Sequence, residues 1–397
     1  MPVKILIADK VSSKLIEGLE ALGAEVISSP DITPEQLPDS IGGAKILVVR
    51  SKKVTKQAID AGRNLSLIVR AGAGVNTIDL DAASRSGTYV ANCPGKNTDA
   101  VAELAIGLLI ACDRNIADAT QSLRQGRWEK KKFGKGDGLK GRTLGVVGTG
   151  AIGRAVIRRA KALDMNIVAS SRSLTPELAE TLDAEFAASP IEVAQKSDAV
   201  SVHLAVTPDT QRIINADFFG AMKEGGIFIN TSRGDIVDHD ALMEAIENKG
   251  IKAGLDVFVN EPGGGAAGFD QMDLASKIVC TPHIGASTVQ SEEAVGDEAV
   301  RVVKEFIASG SPPNVVNVRA LRGAGPTLVV RHYNRVGVLA RVLDLLRDEG
   351  INIEEMKNLI FEHGQAASCS ITIDRQLPAP LLAQIADSEE IIEVVAE

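Results

Sequence analysis

The run LGVVGTGAIGRA sets Gly148, Gly150 and Gly153 between an apolar stretch, Thr143 to Val147, and a segment of helical spacing, Ala151 to Leu163. The stretch reads as a buried strand and the segment as a helix, so the glycines occupy a strand-to-helix turn. At such a turn the first glycine permits the tight bend. The second lets a phosphate approach the backbone, and the third lets helix and strand pack closely. The helix start adds free N–H groups and a positive dipole end. Gly148, Gly150, Ala151, Ile152 and Gly153 are therefore expected to cradle the pyrophosphate of a dinucleotide.

The next strand, Asn166 to Ala169, should end at the ribose. A carboxylate roughly 20 residues past the glycines marks an NAD site. This chain has Ser170, Ser171, Arg172 and Ser173 there instead. An arginine with serine hydroxyls suits a 2′-phosphate, so Ser171 and Arg172 favour tolerance of NADP. The other reading makes Arg172 a solvated loop cation. The expected cofactor is NAD or NADP.

With 397 residues the chain can hold two or three domains. A net charge of −9 and 3% aromatic residues argue against nucleic acid and acidic membranes as partners. Cys93, Cys112, Cys280 and Cys369 are far apart and form no C-x-x-C pair. That spacing predicts neither a disulfide framework nor a metal site, and a reducing compartment. VKILIAD reads as a strand rather than a signal peptide, and the longest apolar helix candidate, around Val101 to Ala111, carries Glu103 and is too short to cross a bilayer. A cytoplasmic protein is expected.

Strand and helix signals alternate from the start. VKILIAD, AKILVVR, Leu67 to Arg70 and Tyr89 to Asn92 read as buried strands, with a helix at Ser12 to Leu22 stopped near Gly23. A long apolar helix, about Asp99 to Leu123, leads to the glycine turn, and strands follow at Ala199 to Leu204, Ile227 to Asn230, Ala253 to Asp256 and Ile278 to Cys280. This alternation predicts an α/β protein with two doubly wound parallel sheets. GGGAAG, Gly263 to Gly268, reads as a flexible loop, and a helix from about Ser291 to Ser309 ends at the turn or linker SGSPPN. From Gly325 the order becomes βαββαβ, which predicts a small ferredoxin-like domain. The expected domains are a flavodoxin-like substrate domain (1–97), a Rossmann dinucleotide domain (98–282), a return to the first (283–320) and a small regulatory domain (325–397).

Three motifs follow predicted strands: INTSRGDIVD, AGLDVFVNEP and TPHIGAST. Ligands of open α/β sheets lie outside the carboxyl ends of the strands, so Arg233, Glu261 and His283 are expected to converge there. Histidine exchanges a hydroxyl proton near neutral pH. A carboxylate orients its ring, and arginine grips a substrate carboxylate and polarises the neighbouring carbonyl. Singly, each has a plain reading as a turn residue, a loop anion or a helix cap. Their joint placement points to a site.

These motifs and the chain organisation resemble the D-2-hydroxyacid dehydrogenase family over essentially the whole length, and HYNRVGVLARVLDLLRDEGINI resembles an ACT domain. The resemblance implies catalytic roles for His283, Glu261 and Arg233. It implies cofactor contacts from Thr231, Ser232 and Asp256, and from His203 and Thr207 in VHLAVTPDT. A buried, hydrogen-bonded structural aspartate is the alternative for Asp256. In RAGAGVNTID, Ala73, Gly74 and Val75 match the carboxylate-binding loop, an anion nest, with Asn76 where many relatives carry aspartate. Arg50 and Ser51 match phosphate-binding positions, and Asn97 a substrate-site asparagine. Lys130 falls where some relatives place a phosphate-reaching arginine; otherwise it belongs to a solvated run with Lys131 and Lys132. His332, Asn334 and Asn352 match serine-contacting positions of ACT-bearing members, with Val336 in place of a common proline.

The implied reaction is reversible oxidation of 3-phospho-D-glycerate to 3-phosphooxypyruvate with NAD or NADP, opening the phosphorylated route to serine. L-serine is the implied effector, and a homodimer or homotetramer the implied assembly. Two other readings stay open. One is an NADPH-dependent hydroxypyruvate or glyoxylate reductase; the other is a dinucleotide-sensing, corepressor-like interaction protein.

Overall fold

The computed structural model describes residues 2–262, 268–318 and 325–396; the expected glycine-rich loop lies outside them except for Gly268. The chain forms two compact units, Met1–Asn317 and Val318–Glu397.

The first unit holds two parallel sheets. Strands β1 (Lys4–Ile7), β2 (Glu25–Ser28), β3 (Ile46–Val49), β4 (Leu67–Arg70) and β5 (Tyr89–Asn92) pair in the order β2-β1-β3-β4-β5. This is the flavodoxin-like order. Strands β6 (Thr143–Val147), β7 (Asn166–Ser170), β8 (Glu185–Phe186), β9 (Ala199–Val202), β10 (Ile227–Asn230), β11 (Lys252–Leu255) and β12 (Val279–Cys280) pair in the order β12-β11-β10-β9-β6-β7-β8. The strand order reverses at β6, which creates a crevice at the carboxyl ends of β6 and β9. Strands covered on both faces are buried throughout, as in β3, which is all apolar, and β10, whose one polar residue is Asn230.

The structure departs from the sequence reading in one helix and two strands. The single long helix expected at Asp99 to Leu123 is two helices, Thr98–Arg114 and Ile116–Arg124. Asn115 separates them at φ 52°, a left-handed conformation that asparagine tolerates, and its N–H caps the first helix on the Ala111 carbonyl. The strands β2 and β8 were not foreseen; both are edge strands, with exposed residues at Glu25, Ser28 and Glu185.

After the second sheet the chain returns to the first. Helix Val289–Ser309 starts at Thr288, whose hydroxyl accepts the Ser291 N–H at 3.1 Å. Its Ala299, Val302, Val303 and Phe306 share a core with Ile5, Ile7, Leu15, Leu19, Ile46 and Leu67. Val315 then bridges to Ala91 antiparallel, and the Asn317 side chain accepts the Val90 N–H at 2.8 Å. Buried Glu298 ties the returning helix to the connection between the sheets. It meets Arg301 at 2.6 Å, Asn314 at 2.7 Å and Lys96 at 3.3 Å. The Arg301 hydrogen bond, with those of Asn314 and Lys96, outweighs burial and holds the Glu298 carboxyl at about 2.

The second unit is a four-stranded antiparallel sheet of β13 (Thr327–Tyr333), β14 (Ile353–Ile360), β15 (Ala366–Ile373) and β16 (Ile391–Ala396) in the order β14-β15-β13-β16. Helices Val338–Asp348 and Ala379–Ala386 complete the βαββαβ order, and Val342, Leu346, Leu381 and Ile385 pack with Leu328, Val330 and Ile371 of the sheet. Among the described residues no helix is long and apolar enough to cross a membrane.

Candidate active site

The glycine turn divides into two kinds of glycine. Gly148 has φ 98°, and a Cβ there would stand 2.3 Å from the His203 carbonyl oxygen. A Cβ on Gly153 would stand 2.0 Å from the Gly148 carbonyl oxygen. The chain's own packing therefore demands both. Gly150 differs, since nothing lies within 4 Å of where its Cβ would be. It caps the helix Ala151–Lys161 without a side-chain bond, and the first N–H groups of that helix, from Ala151 and Ile152 on, open onto the same space. These residues fit a pyrophosphate at a helix N-terminus.

The flanking strand ends line the same crevice. The Ser170 carbonyl accepts the Gly148 N–H at 2.8 Å, and the Ser171 hydroxyl accepts that of Thr149 at 3.0 Å. Arg172 is exposed and has no ion-pair partner among the described residues. His203 Nε2 meets the Ser201 hydroxyl at 2.9 Å, while its Nδ1 and the Thr231 hydroxyl are buried with no partner among the described residues. Burial pushes His203 down to about 4, so its ring is neutral at neutral pH. The Thr207 hydroxyl bonds Thr210 at 3.0 Å within its own turn, and the Ser232 hydroxyl donates to Asn230 Oδ1 at 2.7 Å. Their side chains thus shape the turns that face the crevice.

Asp256 takes the form of the alternative reading, a buried and hydrogen-bonded aspartate. Its Oδ1 accepts from the Thr281 hydroxyl at 2.6 Å and the Ile284 N–H at 2.8 Å, and its Oδ2 from the Gly285 N–H at 2.8 Å. The His283 N–H bonds the Asp256 carbonyl at 2.9 Å. One side chain and one carbonyl so fix the loop that carries His283. That residue sits at φ 53°, a strained conformation held by these bonds.

The structure brings His283, Glu261 and Arg233 together. His283 Nδ1 lies 2.5 Å from Glu261 Oε2, and Glu261 Oε1 accepts the Phe258 N–H at 2.9 Å. Burial raises the Glu261 pKa, but the bonds from His283 and Phe258 and the nearby Arg233 charge outweigh it and hold the carboxyl below its ordinary value. Glu261 thus holds the Nδ1 side of the ring. Arg233 Nη1 donates to the Ser232 carbonyl at 2.6 Å, and its Nη2 stands 2.5 Å from where a Gly74 Cβ would be. A side chain at 74 would push this guanidinium from its present position.

These three groups line a cleft of about 660 Å3 together with Arg50, Ser51, Ala73 and Asn97. Ala73, Gly74 and Val75 present N–H groups with no acceptor among the described residues, while the Val75 side chain packs against a core that includes Leu6, Leu47 and Ile68. The Asn97 side chain is unengaged at the start of helix Thr98–Arg114. Ser51 is already occupied: its hydroxyl bonds Asp9 Oδ1 at 3.2 Å, and the N–H groups of Arg50, Ser51 and Lys52 donate to Asp9 Oδ2 at 2.8, 3.0 and 2.8 Å. Asp9 thus shapes the turn that presents Arg50.

The sequence reading missed Arg70. It ends β4, lines the cleft, and has a buried Nε without a partner. Burial, reinforced by the Arg233 charge, lowers its pKa. Its signal was its place, directly before the nest loop at a strand's carboxyl end. Lys130 stands apart; it is exposed on the short helix Lys130–Phe133 and does not line the cleft. In the second unit, His332 is buried on the face of β13 that also buries Leu328 and Val330; its Nδ1 meets the Tyr333 carbonyl at 2.8 Å and its Nε2 has no partner. Asn334 and Asn352 are exposed and bond locally, to the Gly364 carbonyl at 2.9 Å and to Glu354 at 3.5 Å.

Residues 106–285 match the family model for the D-isomer specific 2-hydroxyacid dehydrogenase, NAD binding domain. The chain is 39% identical over 318 residues to the D-3-phosphoglycerate dehydrogenase of Methanocaldococcus jannaschii, which covers 80% of this chain and 60% of that protein. It is 41% identical over 303 residues to the hydroxypyruvate reductase of Thermotoga maritima, which covers 75% of this chain and 95% of that protein. Among solved structures, an NADPH-dependent glyoxylate/hydroxypyruvate reductase from Sinorhizobium meliloti, in complex with NADP and malonate, superposes with a TM-score of 0.67 at 29% identity, covering 81% of this chain and 100% of that one. With the glycine turn, the His283–Glu261 pair and Arg233 set on this pair of sheets, the chain belongs to the D-2-hydroxyacid dehydrogenase family.

Proposed function

We propose that this protein oxidises 3-phospho-D-glycerate reversibly to 3-phosphooxypyruvate. The observation that carries the reading is the number of arginines that line the cleft. One arginine, Arg233, and the nest at Ala73 to Val75 suffice for a substrate carboxylate, yet Arg50 and Arg70 line the same cleft. Two further guanidiniums suit a phosphate at the far end of the substrate.

A bound nicotinamide supplies the hydride acceptor in oxidation. His283 Nε2 takes the hydroxyl proton, and returns it in reduction. Glu261 keeps the ring oriented through its contact with Nδ1. Arg233 holds the carboxylate and polarises the carbonyl that forms. Ser171 and the unpaired Arg172 support use of NADP beside NAD. On this reading the second unit is an ACT-like regulatory domain that takes L-serine, and the protein works as a homodimer or homotetramer in the cytoplasm.

The test is steady-state oxidation of 3-phospho-D-glycerate with NAD and, separately, with NADP. Turnover with either supports the reading, and their ratio sets the role of Arg172. A second reading, a hydroxypyruvate or glyoxylate reductase, draws on the Thermotoga maritima relative. Turnover of hydroxypyruvate with NADPH, and none of the phosphorylated acid, would replace the first reading by the second. Dinucleotide binding without turnover of any hydroxy acid would favour a sensor.

A further inference from the structure

The three guanidiniums of the cleft are not equivalent. Arg70 and Arg233 have no carboxylate within ion-pair distance among the described residues, whereas Arg50 Nη2 stands 2.7 Å from Glu292 Oε1. Glu292 lies in the first turn of helix Val289–Ser309 and lines the same cleft. Its neighbour Ser291, also on the cleft wall, has a buried hydroxyl with no partner among the described residues. Of the other two acids on the cleft wall, Glu261 is bonded to His283, and Asp235 has no ion-pair partner among the described residues. Glu292 is thus the carboxylate that sits where a ligand's second anionic group would meet Arg50.

We infer that Glu292 is an internal competitor for Arg50 and so a specificity-determining residue. This rests on the reading that the substrate carries a phosphate. Both partners of the pair are partly exposed, and such pairs are weak. A phosphate dianion displaces a single carboxylate from arginine, because it brings more charge and more acceptor oxygens. A hydroxy acid with only its own carboxylate, held by the nest and Arg233, leaves the pair closed. The price is lowered affinity for every anion at Arg50, which spares the cleft from weakly charged solutes and speeds release of a phosphorylated product.

The test is calorimetric titration of inorganic phosphate into the full chain as wild type, Glu292→Gln, Arg50→Ala and the double variant. Thermal unfolding and dinucleotide affinity serve as controls of folding, and Glu292→Ala as a second variant. Glu292→Gln is expected to bind phosphate about five-fold more tightly, the size of one partly exposed ion pair. Arg50→Ala is expected to weaken binding, and the gain should vanish in the double variant. A Glu292→Gln chain that binds phosphate no better than wild type, or worse, overturns the inference while Arg50→Ala still reports on the phosphate reading. An Arg50→Ala chain that binds phosphate like wild type overturns both.

Discussion

The first unit holds two places for anions, and they are built from different materials. The glycine turn at the end of β6 uses backbone: bare N–H groups, a helix start, and two glycines that the chain's own carbonyls require. The cleft uses side chains brought from distant segments: Arg50, Arg70, Arg233 and the His283–Glu261 pair. A backbone site tolerates any dinucleotide whose phosphates fit. A side-chain site chooses its ligand, and single substitutions retune it.

That contrast makes His283→Asn the most severe test. Turnover should fall by about 10²–10⁴-fold, since a positioned acid–base group contributes that much, while dinucleotide affinity measured by fluorescence titration stays close to wild type. A parallel loss of affinity would show that the two sites do not act separately. Next come the glycines. Gly153→Ala drives a methyl into a backbone carbonyl that cannot swing away, so we expect a loss of about 1–3 kcal/mol in denaturant unfolding together with weaker dinucleotide binding. Gly150→Ala should unfold like wild type, within about 0.5 kcal/mol, and still bind the dinucleotide less well. Unchanged affinity there would mean that no phosphate comes against Gly150.

Arg50→Ala should raise KM for a phosphorylated hydroxy acid by about ten-fold, as for loss of a hydrogen bond to a charged group, and leave an unphosphorylated one nearly unaffected. Equal effects on both would remove the phosphate assignment. A further effect concerns pH. The native His203 ring stays neutral down to about 4, whereas the unfolded chain titrates near 6.5. Between those values the unfolded state binds the extra proton, so stability is full above 6.5 and is lost as pH falls towards 4. The thermal midpoint should decline through that window, and His203→Gln should flatten the decline; an unaltered slope would place the titration elsewhere.

The two sites also differ in how far the sequence discloses them. Gly148 and Gly153 are readable because their constraint is local, a strand and a helix on either side of a turn. The trio of Arg233, Glu261 and His283 is readable as residue types after strands, and the parallel sheets bring it together. Arg70 escapes because the last residue of a strand has no pattern of its own. Ser51 reads as a ligand contact, yet Asp9 on a neighbouring strand end claims its hydroxyl. The Arg50–Glu292 pair joins the first sheet to the returning helix, and spacing along the chain carries no trace of it. Short edge strands such as β2 and β8 hide for another reason, since half-exposed residues blur the apolar run that marks the buried strands. The break at Asn115 hides because apolar spacing continues across it.

The returning helix also has a consequence for how the protein is made. The core under β1, β3 and β4 is completed by Ala299, Val302, Val303 and Phe306. During synthesis, therefore, the first sheet waits with one face incomplete until almost all of the first unit has emerged. The strands of the second sheet, contiguous from Thr143 to Cys280, emerge together before that helix. The part made later should be the part that folds first. Chains stalled on the ribosome shortly after Cys280 should resist protease across the dinucleotide region while remaining cleavable before Asn97; uniform protection would show that the first sheet stands without its closing helix.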